Sequence, residues 1–101
     1  MNAAAVILHV TVRGKVQGVG YRAFAVYAAG SLGLEGWVRN RKDGTVEAVV
    51  AGSAAALDKF VAECRRGPTV ARVESIDVKP GTVEQLAIRP AGAKIAILNT
   101  V

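Results

Sequence analysis

Cysteine, histidine and tryptophan each occur only once in these 101 residues. The single cysteine excludes an internal disulfide and fits a reducing, cytoplasmic compartment. With one histidine and no clustered carboxylates there is little to ligate a metal, so no metal or other cofactor is expected. A Ser-His-Asp arrangement is equally poorly supplied, because the only histidine falls on the open face of the first strand. No apolar run approaches the ~20 residues that cross a bilayer. The opening Met1-Asn-Ala-Ala-Ala5 has neither the charged region nor the cleavage pattern of a signal peptide. No membrane partner is therefore expected. Repeats and linkers are missing too, and residues 1–101 read as a single, monomeric domain.

What is present is a globular composition, 51% hydrophobic and 21% charged. Thirteen Lys and Arg against eight Asp and Glu give a net charge of +5, which suits an anionic partner. The basic residues are spread along the chain, so a solvated basic surface explains the charge equally well.

The stretch Gly14-Lys-Val-Gln-Gly-Val-Gly-Tyr-Arg22 stands out. An alternating strand runs into it and a helical pattern runs out. Gly14, Gly18 and Gly20 permit positive φ and close approach of backbone N–H groups to a ligand. Those groups and a helix start converge where anions are favoured. Arg22 at that helix start opposes the helix dipole unless an anion is shared between them, and bidentate contact to a phosphate is the obvious use. The stretch reads as an oxyanion or phosphate cradle. The competing reading is a glycine-rich turn with Arg22 in a surface ion pair.

The rest of the chain supplies a scaffold. Val6, Leu8, Val10 and Val12 alternate with Ile7, His9, Thr11 and Arg13, predicting a strand with one face in water; His9 is then a surface residue. Residues 21–32 are helical, with an apolar stripe of Phe24, Tyr27, Ala28 and Leu32 ended by Gly33. Gly30 costs up to about 1 kcal/mol there, which points to close packing. Leu34–Arg41 and Thr45–Gly52 form a hairpin. A type I turn with Gly44 in the bulge position pairs Arg39 with Glu47 and puts Val38, Val46, Ala48 and Val50 on one face. Asn40 is then a polar residue at a strand end on the core side.

Ser53 caps a second helix whose stripe is Leu57, Phe60, Val61 and Cys64, with Cys64 a buried hydrophobe. Gly67-Pro68 ends it. A strand over Ala71–Lys79 has an alternation that slips between Val73 and Ile76, implying a bulge or a late start. Leu86-Ala-Ile88 suggests a short fifth strand, and the tail from Pro90 has no assigned role. The order β-α-β-β-α-β predicts an α+β, ferredoxin-like sandwich with a mainly antiparallel sheet and two helices on one face.

Competing motifs fail on context. Gly18-Val-Gly-Tyr-Arg-Ala23 matches the dinucleotide fingerprint formally, but the first strand alternates and the second enters a hairpin instead of a crossover helix. No Lys-Ser/Thr follows the glycines as a Walker A site requires. An RNA-recognition domain needs stacking aromatics on its third strand, and residues 45–52 contain none. No nucleic-acid partner is expected.

With these motifs in place, Gly14–Arg22, Gly36-Trp-Val-Arg-Asn40 and Asp43-Gly-Thr-Val-Glu47 together closely resemble the acylphosphatase family. Gly67-Pro68, Ala71-x-Val73 and Leu86-Ala-Ile-Arg89 extend the likeness over about residues 5–89, leaving 90–101 as an extra tail. Leu86 and Tyr21 depart from the family's usual aromatic and Phe. The resemblance implies hydrolysis of the carboxyl–phosphate bond of acyl phosphates to a carboxylate and inorganic phosphate. It also implies that Arg22 and the N–H groups of residues 16–20 bind the phosphoryl group and that Asn40 orients the water. The expected substrate-binding set is Lys15, Val16, Gln17, Gly18, Val19, Gly20 and Arg22, with Lys15 and Gln17 steering or supporting. A non-catalytic anion-sensing module and an accessory domain of a larger system are the alternatives.

Overall fold

A computed structural model describes residues 5–101; the N-terminal residues read as lacking a signal peptide fall, for positions 1–4, outside them. The chain runs β1 (Val6–Lys15), α1 (Tyr21–Ser31), β2 (Glu35–Asn40), β3 (Val46–Gly52), α2 (Ala54–Arg66), β4 (Arg72–Pro80), α3 (Val83–Leu86) and β5 (Ile95–Ile97). The sheet order is β4-β1-β3-β2-β5, antiparallel except for the β2–β5 pair. This is the expected ferredoxin-like sandwich. Helices α1 and α2 cover one face over a core that includes Val10, Val12, Val38, Val46, Val50, Leu57 and Phe60.

The hairpin register follows the charge and face argument. Arg39 lies opposite Glu47, Gly44 has φ 93°, and Val38, Val46, Ala48 and Val50 enter the core together. Asp43 fixes the turn by accepting from Thr45 N at 2.9 Å and from its hydroxyl at 2.7 Å. The expected irregularity in β4 is also present: Arg13 pairs with Ser75 and Gly14 with Val73, so Glu74 is the extra residue.

Four expectations are corrected. The fifth strand is Ile95–Ile97, not Leu86–Ile88. Val83–Leu86 is instead a helical turn, started by a capping box in which Thr82 and Gln85 satisfy each other's backbone N–H groups. It lies on the sheet face opposite α1 and α2, where Trp37 donates to the Gln85 carbonyl at 2.8 Å. In α1 the buried face is Tyr21, Ala25, Ala28 and Ala29, while Tyr27 is 77% exposed. Small side chains let the helix approach the sheet closely, so the aromatics Phe24 and Tyr27 turn toward the α1–α2 groove. Gly30 is exposed and an added Cβ would meet nothing, so no close packing explains it. His9 is half-buried against Glu47 and not a free surface residue.

Candidate active site

Just before the loop between β1 and α1, Gly14 lies tight against β4. A Cβ on Gly14 would lie 2.1 Å from the Arg72 carbonyl oxygen, so no side chain fits there. Gly18 and Gly20 follow with φ of 73° and 80°, and Gly20 is the residue from which α1 starts. No side chain caps that helix and its first turn holds no acidic residue. Among the described residues, no hydrogen bond within the chain takes the N–H groups of residues 16–20. Several backbone donors and a positive helix end are thus left without a partner.

Two side chains brace the loop. Gln17 donates from Nε2 to the carbonyls of Arg41 at 2.7 Å and Thr45 at 2.8 Å, tying the loop to the β2–β3 turn. Tyr21 is buried and donates to the Cys64 carbonyl at 2.6 Å, anchoring the start of α1 to α2. Burial raises the Tyr21 hydroxyl well above its usual range and pushes the Cys64 thiol up to about 12. Both groups are therefore neutral structural elements.

Val16, Gly18, Gly20, Tyr21, Arg22, Ala23, Asn40 and Ile97 line one cavity of about 230 Å³. Arg22 is half-buried there and, among the described residues, forms no ion pair or side-chain hydrogen bond. The surface ion-pair reading of Arg22 is thereby overturned. Asn40 Oδ1 is buried without a hydrogen-bond partner, a costly state for an amide acceptor unless water or a ligand fills it. Of the expected set, Val16, Gly18, Gly20, Arg22 and Asn40 come together. Gln17 is spent on the hairpin, Lys15 is exposed at the end of β1, and Val19 packs on the core.

The carboxylates nearest in sequence are engaged elsewhere. Glu47 projects from the sheet face opposite Val46 and Ala48. It accepts from His9 Nε2 at 2.6 Å, Arg39 Nε at 2.7 Å and Arg41 Nη1 at 3.0 Å. Burial pushes its carboxyl up, but those three donors outweigh it and hold the group below the usual glutamate range. Hydrogen bonds from the Thr45 hydroxyl and N–H likewise lower Asp43. Among the described residues no group of three or more His, Cys, Asp or Glu side chains converges.

Comparison with known proteins gives the family. A family profile named Acylphosphatase matches residues 8–87, which include the loop, Arg22 and Asn40. The chain belongs to the acylphosphatase family. An acylphosphatase of Rhodopseudomonas palustris (strain BisB18) is 54% identical over 95 residues, spanning 94% of this chain and 96% of its own. The crystal structure of an acylphosphatase from Bacillus subtilis matches with a TM-score of 0.80 at 33% identity, over 92% of this chain and 98% of that one. An acylphosphatase from Coxiella burnetii gives 0.81 at 30% identity, over 93% of each. As a member of the acylphosphatases the protein is a hydrolase acting on acyl phosphates. No helix among the described residues is long and apolar enough to cross a membrane.

Three lining residues, Tyr21, Ala23 and Ile97, lie outside the sequence candidates, and Ile97 is the one distant from the loop. Ile97 comes from the tail, where β5 pairs with β2 (Val38 opposite Ile97) and Leu98 N–H donates to the Val38 carbonyl at 2.9 Å. The apolar run Ile95-Ala-Ile-Leu98 was the available signal, and only its pairing partner was hidden.

Proposed function

We propose that the cavity hydrolyses acyl phosphates without a metal ion, with the phosphoryl group seated on the loop 16–20, the N-terminus of α1 and Arg22. The free N–H groups and the unpaired guanidinium supply donors for its equatorial oxygens, where charge builds in phosphoryl transfer. Positioning and fixed donors suffice because the leaving group is a carboxylate, which departs without being protonated. Asn40 is assigned to the water. Its Oδ1 accepts one water hydrogen and so points an oxygen lone pair at phosphorus. A neutral amide cannot take that proton.

The observation that carries this reading is the buried, unpartnered Asn40 Oδ1 on the same cavity as Arg22. The water oxygen bonds to phosphorus as the phosphorus–carboxylate bond breaks, and the water proton passes to a phosphoryl oxygen. Glu47 and Asp43 are not the base in this scheme, since their oxygens are held by His9, Arg39, Arg41 and Thr45. Lys15 at the loop's exposed start draws in the anionic substrate, and Gln17 and Val19 hold the backbone whose N–H groups bind it. The single buried thiol of Cys64 supports a reducing cytoplasmic setting, and the protein works as a monomer.

Release of phosphate from benzoyl phosphate, measured with EDTA throughout, tests the scheme. Turnover by the wild type that survives EDTA and disappears in Arg22→Ala is the expected result. A folded wild type without turnover would reduce the cavity to an anion-binding site. Turnover that EDTA removes would overturn the metal-free chemistry.

A further inference from the structure

An acyl phosphate has two ends, and the groups assigned so far deal only with one. With the phosphoryl group against the loop and Arg22, the acyl substituent must lie toward the cavity mouth. Few of the lining side chains are free to touch it there. Val16 and Tyr21 are 1% and 2% exposed and belong to the core. Gly18 and Gly20 have no side chain, and Ala23 has a single methyl. Ile97 is the only large aliphatic side chain of the lining with much free surface, 48%.

Its position is well defined. In β5, Ile95 packs against the core beneath α1, and alternation turns Ile97 to the same side one step nearer the site. Val38, its partner in β2, lies two residues before Asn40. Beyond β5, Val101 N–H donates to the Asn40 carbonyl at 3.3 Å and the Val101 oxygen accepts from Lys42 N–H at 2.7 Å. The tail is thus tied to β2 at Val38 and Asn40 and to the following turn at Lys42. A lone exposed isoleucine on an edge strand needs no explanation by itself; one lining a cavity beside Arg22 and Asn40 has a use.

We propose that Ile97 is the acyl-side wall of the site and favours substrates with bulky apolar acyl groups over small ones. The proposal rests on the phosphate-end assignment made above. The test compares kcat/KM for benzoyl phosphate and acetyl phosphate in the wild type, Ile97→Ala and Ile97→Phe, together with the Ki of inorganic phosphate. Apolar contact in a pocket discriminates by roughly 10-fold or more per methylene, and a half-open wall gives less. The benzoyl-to-acetyl ratio should therefore fall about five- to tenfold in Ile97→Ala, and Ile97→Phe should keep or raise it. The phosphate Ki should move less than the ratio, because the anion contacts lie elsewhere.

Equal losses on both substrates with a weakened phosphate Ki would overturn the proposal and make Ile97 a packing residue. An unchanged ratio in both variants would overturn it too, placing the acyl group over another edge. Failure of the phosphate-end assignment looks different: a folded wild type would turn over neither substrate, and this proposal would fall with it.

Discussion

The side-chain amide of Gln17 donates to the Arg41 carbonyl at 2.7 Å, across a gap of 24 residues. Its second hydrogen goes to the Thr45 carbonyl at 2.8 Å, so one side chain staples the anion loop to the turn that follows Asn40. Both carbonyls also accept backbone bonds within the turn, from Gly44 N–H and Arg41 N–H. They are not orphaned when the amide is removed. Gln17→Ala should therefore cost only about 1 kcal/mol in urea unfolding, yet lower kcat/KM about tenfold by loosening the loop against Asn40. Gln17→Glu should be worse than alanine, since a carboxylate would face two carbonyl oxygens.

Arg22→Lys separates charge from shape. A lysine keeps the positive charge but cannot make the planar two-point contact of a guanidinium. Activity on benzoyl phosphate should fall by a factor on the order of 100 or more. Thermal stability should hold within about 0.5 kcal/mol, because Arg22 has no described partner to lose. Near-wild-type turnover would mean that charge alone binds the phosphoryl group.

Asn40→Ala should reduce kcat by about 100- to 1,000-fold with the phosphate Ki largely kept. The same change removes a buried acceptor that has no partner, so unfolding free energy should stay level or rise by up to about 1 kcal/mol. Paired kinetics and urea melts check both halves. A weaker phosphate Ki at unchanged kcat would assign Asn40 to the anion instead of to the water.

The Glu47 cluster predicts the acid limb of stability. Its folded carboxyl lies below the usual glutamate value of about 4.3. The stabilisation is therefore fully present above that pH and is lost as pH falls through the lower, folded value. Urea midpoints measured between pH 6 and pH 2 should drop over that window. In Glu47→Gln the drop should shrink, after an initial cost of about 2 kcal/mol as His9, Arg39 and Arg41 lose their shared acceptor.

The site was readable from sequence where it depends on local rules. Glycines at 14, 18 and 20 with Arg22, and an Asn40 whose side followed from the Arg39–Glu47 register, identified the cavity's polar end. Relations between distant segments were not readable. Parallel pairing of β5 with β2 has no turn to announce it, so Ile97 stayed outside the candidate set. From sequence His9 reads as a surface residue because its partner lies 38 residues away; β1–β3 pairing sets Thr11 opposite Glu47 and His9 diagonal to it. In α1 the aromatics gave the wrong stripe, because close packing on the sheet selects Ala25, Ala28 and Ala29 over Phe24 and Tyr27. The Thr82–Gln85 capping box was in the sequence and outweighs the strand-like Leu86-Ala-Ile88.

The edge strand β5 has only three residues, and with Val101 it supplies both the Ile97 wall and a bond to the Asn40 carbonyl. Short edge segments open locally at far lower free energy than a domain's core. Catalytic competence in this protein should therefore have its own melting point, below that of the core built on β1, β3 and α2. On warming, turnover would fade while the far-UV signal is still native, and cooling would restore it without refolding.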